Sequence, residues 1–189
     1  MTTIGVIGNG RSGKLIERYW LGSKTFSVRF FDEFNGEPLS SIPPGMPLIV
    51  SFSIDMKRRR EVFEQFSGHP FVNVMRSQTL GKIGRGNIVY PGCHMDYFSE
   101  IGDNNAISHN CVINHCCKVG SHNLFGPGVL LSGSVTIGDR CKIGTNVAIE
   151  PHITIGDDVM IASGSTIIGN LPSGAHVKRK SNDLRSYGN

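Results

Sequence analysis

A chain of 189 residues with a net charge of +4 and 39% hydrophobic residues has room for one large domain or two small ones, and its 24 glycines favour turn-rich β structure over a helical bundle. Lys178, Arg179 and Lys180 cluster near the C-terminus without interleaved aromatics, which speaks against nucleic acid and for a small anionic ligand. No apolar run approaches the ~18 residues of a membrane span, and the start lacks a basic segment followed by a hydrophobic one, so neither a membrane helix nor a signal peptide is expected.

Residues 3–8, Thr-Ile-Gly-Val-Ile-Gly, read as a short buried strand. Gly8, Asn9, Gly10, Arg11, Ser12 and Gly13 follow as a G-x-G-x-x-G turn that runs into a helix over 14–20. Such a turn either tightens the chain alone or lets a diphosphate approach backbone N–H groups at the helix start. A second strand over 26–31 ends at Asp32 and Glu33, where a nucleotide ribose or base is often gripped. A strand over 47–53, a charged helix over 55–66 and a strand over 70–75 complete the series. The order β-α-β-β-α-β predicts a small Rossmann-like α/β domain over 1–76, about half a dinucleotide fold. That size suits a nucleotide or nucleotide-sugar diphosphate better than a whole dinucleotide.

From Ile83 the pattern changes to sixes. Val89, Met95, Ile101, Ile107, Ile113 and each sixth residue to Ile167 are apolar. The second place is often glycine, and the fifth is usually small or β-branched. Period six fits neither a helix nor a simple alternation and marks a solenoid of short strands, three per coil. The run predicts about five coils of parallel β-helix, within a second domain over 77–189 that ends in a polar tail. Cys93, Cys111, Cys117 and Cys141 occupy the fifth place and are expected as buried small residues. The odd cysteine count argues against a disulfide framework, and adjacent Cys116 and Cys117 should face opposite sides of a wall, which disfavours zinc.

A flat wall needs something projecting from it. His115, third in its hexad, should point outward near a corner. There it is either a solvated surface histidine or a general base. His109, His115 and His122 would be the ligands of a zinc lyase on this kind of solenoid, but one hexad of separation puts His109 and His115 on different sides of the prism.

The whole chain resembles the sugar acyltransferases of the left-handed β-helix superfamily, specifically the PglD/NeuD-like group. The resemblance rests on the strand, glycine turn and helix with Asp32-Glu33, then on Val112-Ile113-Asn114-His115, on residues 131–138, Leu-Ser-Gly-Ser-Val-Thr-Ile-Gly, and on the closing Asn170-Leu171-Pro172-Ser173-Gly174. It implies a left-handed coil, where the usual crossover rule would give a right-handed one. It implies a cytoplasmic homotrimer that N-acetylates a nucleotide-linked 4-amino-4,6-dideoxysugar from acetyl-CoA, for polysaccharide biosynthesis, with no metal. His115 would be the general base. Gly133, 18 residues and so one coil later, would offer its N–H to the thioester oxygen. Residues 8–13 with Asp32 and Glu33 would seat the nucleotide, and Ala162, Ser163, Lys178 and Arg179 would hold acetyl-CoA between subunits. The alternatives are sugar O-acetylation of the sialic-acid type and a non-catalytic scaffold. Two departures stand out: Cys116 occupies the place of the orienting Glu or Asp, with Asn114 on the other side of the base, and Leu124 occupies the place of a second histidine.

Overall fold

The computed structural model describes residues 2–20, 26–52, 55–75, 78–79 and 81–178. Arg179, expected at the coenzyme, and the tail after it lie outside the described residues. The first half consists of β1 (Thr2–Ile7), α1 (Arg11–Trp20), β2 (Phe26–Phe31), β3 (Leu48–Val50) and α2 (Met56–Gln65). Its three strands form a parallel sheet in the order β2-β1-β3. Val6, Ile7 and all of β3 are buried, the mark of strands covered on both faces. Asp55 starts α2 by accepting the Arg58 N–H at 2.9 Å. The outer face of α2 carries the pairs Lys57–Glu61 and Arg60–Glu64, and its inner face buries Arg59, Val62 and Phe63.

The expected strand order holds through α2 and fails at the last strand. Phe71 makes one parallel bridge to Leu48, whereas β4 (Val74–Met75) pairs with Ile88–Val89 and opens the solenoid. Asn73 sets the break. Its carboxamide accepts the Asn87 N–H at 2.9 Å and donates to the Gly84 carbonyl at 2.6 Å, drawing the chain onto the next coil. The first half is therefore a three-stranded sheet with two helices, and residues 70–75 splice it to the second.

From β4 onward, two-residue strands form three parallel sheets of seven, six and five strands. Across most of the prism partners lie one 18-residue coil apart, as Val112 with Leu130 and Lys118 with Thr136. The prism is about six turns tall, one more than the period-six run suggests. The difference lies in shortened coils at both ends, where Val74 pairs with Ile88 and Met160 with His176. Hexad-first residues such as Ile107, Ile113 and Leu131 fill the interior. From Gly86 to Gly164 each corner turns on a residue with positive φ at the fourth place, among them Phe98, Cys116 and Ser134. At the fifth place Asn87, Asn105 and Asn123 stack as a buried ladder, each side-chain oxygen accepting the N–H one coil on at 2.7–2.8 Å. The ladder satisfies backbone donors that would otherwise be orphaned inside.

One side chain ties the halves together. Arg59 of α2 is fully buried and donates to the carbonyls of Val50, Phe52, Gly86 and Asn104, so it bridges β3 and two solenoid corners. Burial without a carboxylate lowers its pKa to about 9. Val6, Ile16, Ile49, Val74, Ile88 and Tyr90 form an apolar cluster across the same seam.

Candidate active site

The glycine turn leaves the carboxyl end of the central strand, between the ends of β2 and β3, which is the crevice where parallel sheets bind ligands. Gly8 has φ of +105°, and a side chain there would strike Ser51 and Phe52. A Cβ on Gly13 would collide with the Gly8 carbonyl oxygen, so glycine lets α1 seat against the turn. Gly10 differs: a Cβ there would meet nothing within 4 Å, so internal packing does not demand glycine. Asp32 accepts the N–H groups of Asn9 at 2.9 Å, Phe34 at 2.9 Å and Asn35 at 3.2 Å. The Asn9 bond above all, then those from Phe34 and Asn35, hold its carboxyl below the usual range. Asp32 thus clasps two loops together, and one N–H of the glycine turn is already used. Glu33 pairs with Arg58, which lies 3.8 Å from Glu61. Gly8, Asp32, Glu33, Asp55 and Arg58 share a cavity of about 220 Å³ backed by Phe31, Phe52 and Val62. Arg11, which does not line the cavity, is exposed on the first turn of α1.

On the solenoid, His115 and Cys116 form an exposed corner between Val112–Ile113 and Lys118–Val119. The expected stacking on Gly133 is present. A methyl group built on Gly133 would lie 2.6 Å from Cε1 and 2.8 Å from Nε2 of His115, so the imidazole occupies the space a side chain would need. The His115 carbonyl accepts the Ser134 N–H at 3.0 Å, which locks the two corners one above the other. Among the described residues the Gly133 N–H has no hydrogen-bond acceptor. An imidazole and an N–H without an acceptor among the described residues thus lie together at one corner, and these are the kinds of group that acyl transfer uses.

Cys116 is exposed with φ of 61°, while Cys117 is buried and its thiol lies 3.1 Å from the Ser132 carbonyl oxygen. Asn114 is held by its backbone, donating to Leu131 at 3.1 Å and accepting from the Ser99 hydroxyl at 2.7 Å. Among the described residues neither the Asn114 side chain nor the Cys116 thiol bonds the His115 ring.

Ala162, Ser163 and Lys178 line a groove of about 580 Å³ with Lys142, Met160 and His176. This groove flanks the corner between the seven- and six-stranded walls, whereas His115 stands at the corner between the six- and five-stranded walls. One chain therefore does not bring the two sets together. His109, His115 and His122 likewise occupy three different corners, and among the described residues no group of three His, Cys, Asp or Glu is placed to hold a metal. His122 packs edge-on against Phe63 of α2 at 5.7 Å, with Nδ1 2.9 Å from the Asn104 amide. Sequence reasoning passed over Tyr97 and Phe98, exposed at the corner one coil before His115. The signal that would have found them is two large aromatics in a third and fourth hexad place.

Residues 98–133 and 134–169 match the bacterial transferase hexapeptide (six repeats). No curated protein is significantly similar to the chain. Among solved structures, the acetyltransferase domain of PglB from Neisseria gonorrhoeae FA1090 is similar with a TM-score of 0.82 and 23% identity, over 93% of this chain and 96% of that one. PerB from Caulobacter crescentus, in complex with CoA and GDP-perosamine, is similar with a TM-score of 0.79 and 23% identity, over 93% of each chain. WeeI from Acinetobacter baumannii AYE gives 0.77 and 20%, over 94% of this chain and 97% of that one. At these identities the likeness is one of fold, and it spans both halves.

Proposed function

We propose that this chain, a prism of bacterial transferase hexapeptides joined to a small parallel-sheet unit, is an acetyl-CoA-dependent sugar N-acetyltransferase. The observation that carries the reading is the His115 imidazole lying against Gly133, with that residue's N–H free among the described residues. The acceptor is a nucleotide-linked 4-amino-4,6-dideoxysugar, supported by the fold shared with the perosamine N-acetyltransferase of Caulobacter crescentus, which was determined with CoA and GDP-perosamine. Its diphosphate lies on the turn over 8–13, where the open space at Gly10 allows close approach and Arg11 supplies charge.

The sugar amine attacks the thioester carbonyl directly in a ternary complex. His115 takes the amine proton, the Gly133 N–H stabilises the oxyanion, and CoA leaves as the thiol. Acetyl-CoA lies along Ala162, Ser163 and Lys178, and Arg179, outside the described residues, is assigned to it on the sequence alone. Because that groove and His115 stand at different corners, the active site forms between neighbouring subunits of a homotrimer of left-handed prisms. In this reading residues 1–76 seat the nucleotide, residues 77–189 carry the acyl transfer, no metal takes part, and the enzyme works in the cytoplasm on polysaccharide precursors.

The Cys116 thiol, standing where relatives of this group carry a carboxylate, favours a second reading as a scaffold subunit without turnover. One assay separates them. UDP-, GDP- and dTDP-linked 4-amino-4,6-dideoxysugars are supplied with acetyl-CoA, and released thiol is measured. Turnover is expected with at least one of them, falling at least about a hundredfold in His115→Ala with the oligomer intact. No turnover with any member would sink the enzyme reading, and an unchanged rate in the variant would remove His115 from the chemistry.

A further inference from the structure

We infer that Tyr97 and Phe98 form the platform on which the acceptor sugar lies, and that they select a sugar with an uninterrupted apolar face. The inference rests on the acetyltransferase reading and deepens it. Tyr97 is the third residue of its hexad, as His115 and Gly133 are of theirs, and the three stand in one column at one corner. The Cys116 N–H donates to the Tyr97 carbonyl at 3.2 Å, so Tyr97 lies directly below His115, about 4.8 Å along the prism axis. Gly133 lies directly above. The acyl oxygen belongs at the Gly133 N–H, on the upper side of the imidazole. An amine reaching His115 from the opposite side comes past Tyr97 and Phe98.

Among the described residues neither ring belongs to a hydrophobic core cluster. Tyr97 is 56% and Phe98 80% exposed, and their ring centroids stand 6.2 Å apart in a tilted pair. Phe98 adopts φ of 60°, a region that disfavours bulky residues, while the equivalent corners at Asn104, Asn110 and Asn146 use asparagine. A bulky, strained and solvent-facing ring beside a base is a poor choice for stability and a good one for contact. A pyranose offers aromatic rings a face of C–H groups, and a 6-deoxysugar adds a methyl group where other hexoses carry a hydroxyl. The Asp96 carboxylate accepts the Tyr97 N–H at 2.7 Å through Oδ1 and so stands next to the two rings.

The decisive variant is Phe98→Asn, which keeps a residue suited to positive φ and removes the ring. KM for the best nucleotide-sugar of the panel is expected to rise about tenfold, the worth of one aromatic contact, while KM for acetyl-CoA, oligomer mass and melting temperature hold or the last rises. Tyr97→Ser, at an unstrained position, is expected to act in the same direction and covers the case in which Phe98→Asn fails to fold. Equal change in both KM values, no change in either, or dissociation of the oligomer overturns the platform, the last because it would make the rings a subunit contact. These results presuppose a wild-type enzyme that turns over. If wild type acetylates no member of the panel, the parent reading falls and the platform falls with it.

Discussion

Gly133 is a glycine because of a neighbour one coil away rather than because of its own backbone. The His115 ring fills the volume of its missing side chain. In Gly133→Ala the new methyl would meet the far end of a flexible side chain, so the ring moves and the prism survives. Melting is expected to stay within a few degrees while kcat/KM falls about a hundredfold, as displacement of a reacting group by about 1 Å does. Calorimetry beside the thiol assay checks both halves of that statement; a rate near wild type would mean that the ring's seat on Gly133 is unimportant. The outward position of His115 was legible from its hexad place, since the third residue of a hexad faces out, whereas its expected role came from the family resemblance alone. Asp32 was legible as a residue of interest, but its engagement with three backbone N–H groups was not, because those donors belong to loops that only the fold brings to it.

At the scale of elements, α2 decides how the two halves meet. Arg59 replaces four solvent bonds with four carbonyls, and truncating it would leave those acceptors buried without a donor, at about 1–3 kcal/mol each. His122 lies on the same seam. Desolvation first lowers its pKa, with Arg60 and Arg59 adding to the effect and Glu64 and Asp139 opposing it. A histidine held neutral in the native state contributes nothing adverse above its ordinary value near 6.5, and the native state loses stability as pH falls from there through the depressed value. The melting temperature is therefore expected to drop by a few degrees between pH 7.5 and pH 5, with His122→Gln removing part of that drop. An identical pH dependence in the variant would place the titration elsewhere.

On the scale of the whole molecule, the groove lined by Ala162, Ser163 and Lys178, proposed to take acetyl-CoA, and the His115 imidazole occupy different corners of each prism. Mixed oligomers test whether neighbours complete each other's sites. His115→Ala and Ala162→Trp are each expected to be inactive alone. Unfolded together and refolded at equal ratio, they should regain about a quarter of wild-type activity, because a quarter of the interfaces unite two intact halves. No recovery would mean that a single chain supplies both groups.

The sequence by itself determined the prism. Period six is a local rule that repeats the same inward residue, the same corner and the same small fifth place, and it can be read without knowing what any coil touches. Only the tertiary structure decided the extra turn, the splice at residues 70–75 and the burial of Arg59. The end coils are shortened and break the period, and a cation satisfied by carbonyls leaves no trace in the residues that supply them, since every residue has a carbonyl and only the fold says which ones converge.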